Sequence, residues 1–201
     1  MENLSKKVMR EQKRFDEILN AAQEIFLKKG FYGATMNEIA ERALVSKFTV
    51  YQYFAGKDAI LDGILARGFS ILTRAVEKKI GDIKDPKRRF MALIRTELEF
   101  FESRKDFFQV LLIEKLNFES EVKNGIVPSY REHIRFIEKE FRKSIRQGFI
   151  RRVDPEDAAY MVFATLRAFA LRWLFLGGKG RLSDKSEAVY DLVMSGLASN
   201  A

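Results

Sequence analysis

Apolar positions along this chain recur at three- and four-residue intervals, the period of a helix with one buried face, and nowhere alternate in the two-residue rhythm of a strand. Phe15, Ile18, Leu19, Ala22, Ile25 and Phe26 make the first stripe, closed by the basic turn Lys28 and Lys29 and by Gly30, which reads as a stop. Thr35 followed three positions later by Glu38 forms a capping box. A short helix therefore starts near Met36, with Ile39, Ala40 and Ala43 inward and Asn37, Glu41 and Arg42 outward. After an apolar turn at Leu44 and Val45, Ser46 stands where a second N-cap is needed, ahead of a helix whose Val50 and Phe54 share a face. Two short helices sharing a core, the second offering Lys47, Phe48 and Thr49 on its first turn, make a helix-turn-helix pattern. Such a pattern sets a helix N-terminus against base edges in a DNA major groove. An ordinary helical hairpin with a solvated outer face reads the same way, so this stretch alone leaves both open.

The remaining stripes are punctuated clearly. Lys57 to about Ile80 reads as a connecting helix, with Ile60, Leu61, Ile64 and Leu65 inward and Phe69, Leu72 and Val76 continuing the face. Asp85 and Pro86 open a helix to about Ser103, and Asp106 to Leu116 is a shorter one. Residues 117–128 read as a loop. Ser129 to Gln147 is amphipathic through Ile134, Ile137, Phe141 and Ile145, with Gly148 as its stop. Asp154 and Pro155 open a helix running to the Gly177-Gly178 break, and Asp184 with Glu187 starts the last. The expected fold is all-α with about nine helices: an arm and three-helix DNA-binding domain over 1–56, and a larger helical domain over 57–201. Residues 158–176 are apolar enough to raise a membrane span. Arg167 and Arg172 inside them are costly at a bilayer centre, so a buried or dimer-facing helix is expected instead.

Composition narrows the function. Three prolines and 12 glycines suit a helical chain, and the absence of cysteine excludes disulfides and thiol metal sites. No apolar run resembling a signal peptide opens the chain, so a cytoplasmic location is expected. With one histidine, no glycine-rich phosphate loop and no strand-borne nucleophile, no catalytic constellation is available, and neither enzyme activity, cofactor nor metal is expected. The net charge of +8 favours polyanions. Over residues 1–60, however, ten Lys and Arg face eight Asp and Glu, so that stretch carries only +2. The DNA-binding inference thus rests on pattern rather than bulk charge. Lys6, Lys7, Arg10, Lys13 and Arg14 form a basic arm that either follows the DNA backbone or serves solubility.

The stretch AAQEIFLKKGFYGATMNEIAERALVSKFTVYQYFAGKDAIL closely resembles the N-terminal domain of the TetR family of bacterial one-component repressors. Ala21, Phe26, Gly30, the Thr35 cap, Ile39, Ala40, Val45, Ser46, Lys47, Thr49, Tyr51, Tyr53, Phe54 and Lys57 carry it, over roughly residues 11–71. The resemblance implies that Thr35 and Ser46 cap helices whose positive ends face phosphates. It implies that Lys47 and Thr49 approach bases or backbone, that Tyr51 and Lys57 meet phosphates, and that Gln52 and Tyr53 make edge contacts. Position 48 departs from the family's usual glycine: Phe48 either touches a thymine methyl or folds back as core. Gly56 replaces the usual small hydroxyl residue before Lys57.

In this family the middle helices enclose an effector cavity and the last two helices pair between subunits. That implies a homodimer on a palindromic operator. It also implies a small hydrophobic or aromatic effector held by Phe69, Phe100, Phe101, Phe107, Phe108, Gln109, Phe136, Tyr160, Phe163 and Arg167, with His133 and Phe118 nearby. The dimer seam would draw on Ala159, Val162, Leu166, Phe169 and Trp173 and on Val189, Leu192, Val193 and Leu197. The function so implied is a DNA-binding transcriptional repressor released by its effector. The alternative is a similar DNA-binding protein whose second domain binds a protein partner or has no effector.

Overall fold

The computed structural model describes residues 2–113 and 128–195, and these hold nine α-helices and no strand. They are α1 Glu2–Gly33, α2 Met36–Arg42, α3 Lys47–Tyr53, α4 Lys57–Ile80, α5 Pro86–Ser103, α6 Lys105–Ile113, α7 Pro128–Arg146, α8 Pro155–Phe175 and α9 Ser186–Ser195. The loop expected over 117–128 lies outside the described residues save for Pro128, and so do Phe118 and Leu197.

The described residues form two compact units, one of residues 2–68 with 106–113 and one of residues 69–105 with 128–195. Helix α4 therefore gives its first half to one unit and its second half to the other. In the first unit the expected stripes form the core: Ile18, Leu19, Ala22 and Phe26 of α1, Ile39 and Ala40 of α2, Val50 of α3, Phe54, and Ile60 and Ile64 of α4 are all buried. Gly30 carries φ 71°, a left-handed backbone that glycine adopts without strain, and it breaks α1 where the sequence placed the stop. At Gly63 a Cβ would lie 2.9 Å from a Leu19 methyl, so α4 approaches α1 more closely than a side chain there would allow. The basic arm is not a separate tail: α1 begins at Glu2 and carries it as helix, with Lys7–Glu11 and Lys13–Glu17 ion pairs at spacing i, i+4.

In the second unit α7 packs on α8, and α5 packs on α8 and α9. Asp85 caps α5 by accepting from the Arg88 amide at 2.7 Å, and Asp154 caps α8 by accepting from the Glu156 amide at 2.8 Å, each ahead of a first-turn proline. Gly148 (φ 73°) ends α7 and Gly177 (φ 72°) follows α8, as expected. The last helix differs. Asp184 accepts from the Arg181 amide at 3.3 Å and so caps a single 3-10 turn, Leu182–Lys185, and α9 follows from Ser186.

Helix α8 is, among the described residues, the one long and apolar enough to cross a membrane by length and composition. Ala158, Ala159, Val162, Phe163, Leu166 and Ala170 on it are buried within this unit.

Candidate nucleic-acid interface and effector core

The helix-turn-helix is built from local hydrogen bonds that the sequence announces. The Thr35 hydroxyl accepts from the Glu38 amide at 3.3 Å while the Glu38 carboxylate accepts from the Thr35 amide at 3.0 Å, closing the capping box. Lys29 also pairs with Glu38, and this bond, followed by those from Thr35, holds the Glu38 carboxyl below its ordinary value. Arg42 Nε donates to Glu24 at 2.6 Å and ties α2 to α1. At the turn, Leu44 adopts φ 55° and the Val45 amide donates to the Ala40 carbonyl at 3.0 Å, which satisfies the carbonyls at the end of α2. A left-handed leucine is strained, and here its side chain is 89% exposed, so burial does not compensate. Ser46 Oγ then accepts from the Thr49 amide at 3.0 Å and starts α3.

Helix α3 presents an outer face of Lys47, Phe48, Tyr51 and Gln52, all exposed, with Thr49 half-buried. Phe48 is 72% exposed and Tyr51 48%. The two readings left open for Phe48 are thereby separated: it does not fold into the core. Lys47 Nζ lies 6.0 Å from the Tyr51 ring centroid. Tyr53 is half-buried, its ring 6.5 Å from that of Phe15, and so offers less surface for an edge contact than Tyr51. Lys57 is arranged otherwise than a free point charge. Its Nζ donates to the Phe31 carbonyl at 2.7 Å and the Ala34 carbonyl at 2.8 Å, and lies 4.9 Å from the Phe31 ring.

The expected effector residues divide between the units. Phe69, Phe101 and Phe163 are fully buried in the second unit, with Phe100 almost so, Phe136 and Arg167 half-buried and Tyr160 at its edge. Phe107, Phe108 and Gln109 belong to the first. Phe163 is the hub, its ring 6.1 Å from Phe69, 6.3 Å from Phe101, 5.4 Å from Tyr130 and 5.5 Å from His133. Burial raises the pKa of the Tyr130 phenol, opposed by the nearby Arg167 charge. His133, wholly buried, bonds Glu97 through Nε2 at 2.9 Å and the Thr73 hydroxyl through Nδ1 at 2.8 Å. Tyr130, Glu97 and Thr73 were not among the expected residues. Glu97 did leave a signal, because it lies on the α5 stripe of Leu93, Ile94, Leu98 and Phe101, a charge where the period calls for an apolar side chain.

The expected dimer seam needs correction. Ala159, Val162, Leu166, Val189 and Val193 are buried within a single copy and cannot also face a second one. Phe169 and Trp173 are half-buried. The apolar side chains left exposed are Met161, Leu171 and Phe175 on α8 and Leu192, 63% exposed, on α9. Among the described residues expected at the seam, Leu192 is the exposed one, and only Phe169 and Trp173 are otherwise partly open.

Residues 18–64 match the model of bacterial regulatory proteins of the tetR family, and residues 65–196 match that of the YsiA-like protein C-terminal region. The chain belongs to the TetR family. As a member of that family it is a DNA-binding transcriptional regulator. The fatty acid metabolism regulator protein of Bacillus subtilis is 22% identical over 185 residues, 92% of this chain and 95% of that one. The fold is that of FadR from Bacillus subtilis, solved in complex with stearoyl-CoA, at TM-score 0.82 and 22% identity over 90% of this chain and 98% of that. AibR in complex with isovaleryl coenzyme A and operator DNA superposes at TM-score 0.69, with 23% identity over 89% of this chain and 97% of that one.

Proposed function

We propose that this TetR-family protein is a cytoplasmic, homodimeric repressor that leaves a palindromic operator when an acyl coenzyme A thioester binds its second unit. The observation that carries the reading is the ring cluster around Phe163, an aromatic core with one polar device, Glu97–His133–Thr73, inside it. A chain of methylenes suits such a core, at about 0.8 kcal/mol for each CH₂ removed from water. The regulators of similar sequence and fold named for fatty acids or seen with acyl coenzyme A add support. Helix α4 would be the lever. It carries Lys57 at the DNA-reading end and Phe69 in the ring cluster, so displacement of Phe69 by a guest changes the set of α4 and with it the spacing of two recognition helices.

The test is competition. Genomic fragments selected by the purified protein supply the operator, and its affinity is measured with free coenzyme A, isovaleryl-, palmitoyl- and stearoyl-coenzyme A. The reading expects at least a tenfold loss of affinity with one of the thioesters and none with coenzyme A. Equal affinity under all four conditions would favour a regulator directed by a protein partner or without an effector.

For DNA contact, Tyr51→Phe keeps the ring and removes only the hydroxyl that would bond a phosphate. It is expected to weaken operator and unrelated DNA alike, by roughly thirtyfold for a lost bond of about 1 kcal/mol in each of the two protomers. Phe48→Ala is expected to leave non-specific binding alone and change the preference at a thymine. Fluorescence anisotropy on the operator, its T-substituted variants and a scrambled duplex separates the two outcomes. An unchanged preference after Phe48→Ala would remove Phe48 from the reading face.

A further inference from the structure

Among the described residues three buried side-chain polar atoms have no hydrogen-bond partner: Glu97 Oε2, Ser129 Oγ and Arg167 Nε. All three belong to the second unit. Glu97 bonds His133, whose ring lies 5.5 Å from Phe163. Phe163 lies 5.4 Å from Tyr130, the neighbour of Ser129 in sequence, and the Tyr130 phenol feels the charge of Arg167. A folded core leaves few such atoms and each needs a physical reason.

If His133 carries its proton on Nε2, it donates to Glu97 Oε1, and Nδ1 accepts from the Thr73 hydroxyl. If the proton is on Nδ1, it donates to the Thr73 oxygen and a protonated Glu97 Oε1 donates to Nε2. In both arrangements Oε2 keeps its lone pairs and meets no donor, on a residue that is wholly buried. Arg167 is the complement, an Nε–H facing no acceptor. A bare hydrocarbon chain would answer neither.

We propose that the effector carries a hydrogen-bond donor within its apolar length, and that Glu97 Oε2 accepts from it while Arg167 Nε donates to a neighbouring carbonyl oxygen. The donor is an O–H on the acyl chain or an amide N–H of the pantetheine arm. This rests on the acyl coenzyme A reading and narrows it. Glu97 then acts as the selector between plain and polar-substituted guests, because a guest without the donor leaves the desolvated oxygen unpaired.

The full-length protein is titrated by calorimetry with palmitic acid, 3-hydroxypalmitic acid, palmitoyl-coenzyme A and 3-hydroxypalmitoyl-coenzyme A, as wild type and as Glu97→Leu. With the donor on the acyl chain, each hydroxylated probe binds the wild type at least tenfold tighter than its plain partner, and Glu97→Leu brings the two within about twofold. With the donor on the pantetheine arm, hydroxylation is neutral, and Glu97→Leu weakens palmitoyl-coenzyme A tenfold while sparing palmitic acid. If Glu97→Leu fails to keep its helical circular dichroism, Glu97→Met, which keeps the length of the side chain without a carboxylate acceptor, is expected to lose the same discrimination. Wild-type binding that ignores hydroxylation, together with Glu97 variants that alter no probe beyond about twofold, would overturn the proposal while leaving the acyl reading in place. Failure of all four probes to bind the wild type would instead sink the acyl reading itself.

Discussion

Arg89→Ala is expected to lower the unfolding free energy by about 3–5 kcal/mol, because it strands a buried carboxylate. Arg89 on α5 grips Glu140 on α7 with a two-pronged contact, Nε to Oε2 at 2.5 Å and Nη2 to Oε1 at 2.9 Å. Both side chains are about nine-tenths buried. The remaining prong, Nη1, donates to the carbonyls of Ile80 and Ile83, so one guanidinium also closes the end of α4. The Glu140 bond raises the pKa of Arg89 against the opposing effect of burial, and the arginine stays charged at any pH the fold tolerates. For a chain of this size the loss corresponds to roughly 6–20 °C in Tm. Arg89→Lys keeps the charge but not the fork and is expected to fall between. Arg89→Met combined with Glu140→Leu is expected to recover most of the loss, since two apolar side chains leave no charge unpaired. Urea unfolding of the four proteins checks this, and a single mutant within 1 kcal/mol of wild type would show the pair to be solvated.

Where a signal is local, the chain is legible. Thr35 with Glu38, Ser46, Asp85 and Asp154 act within four residues of themselves, and each caps the helix expected of it. Signals that depend on which faces meet are not. Helix α8 is apolar around most of its circumference, so period alone could not say whether Val162 or Met161 faces a second copy; the core takes Val162 and leaves Met161 exposed. The same limit scattered the expected effector set, because a phenylalanine carries no mark of the unit that buries it. Phe107 and Phe163 look alike in sequence and lie in different units. Glu97 is the opposite case: its charge within an apolar stripe marked it, and a charged residue on a buried face needs a partner. At the DNA-reading face, the residue types were legible while their freedom was not. Lys57 is held by contacts 23 or more residues away in sequence and Phe48 is left exposed by the lack of them, and there they part.

Lys57→Ala is expected to weaken DNA binding without changing how it depends on salt. A lysine that neutralises a phosphate displaces condensed counterions, and its loss lowers the slope of log affinity against log salt by about 0.9. Lys57 is already engaged within the protein. Its ammonium bonds the Phe31 and Ala34 carbonyls and lies near a third, that of Tyr32, at 3.4 Å, with the Phe31 ring alongside. These carbonyls belong to the turn that leads into Thr35, so the lysine fastens the start of α4 to the approach of α2. Hydrogen bonds to a charged group contribute about 1.5–3 kcal/mol each, and alanine would forfeit them and leave the turn free to shift the capping box. The expected result is a domain destabilised by roughly 3 kcal/mol or more, with operator affinity down tenfold or more because α3 is held less firmly, and a salt slope equal to wild type. Lys57→Arg offers a second reading of the same contact, since a planar fork cannot reproduce three bonds from one nitrogen, and it is expected to lose stability despite keeping its charge. Anisotropy titrations from about 50 to 200 mM salt, with thermal melts of the same samples, decide the matter. A slope reduced by about one unit per protomer, with an unchanged melt, would return Lys57 to direct phosphate contact and make its bonds to the turn a resting position only.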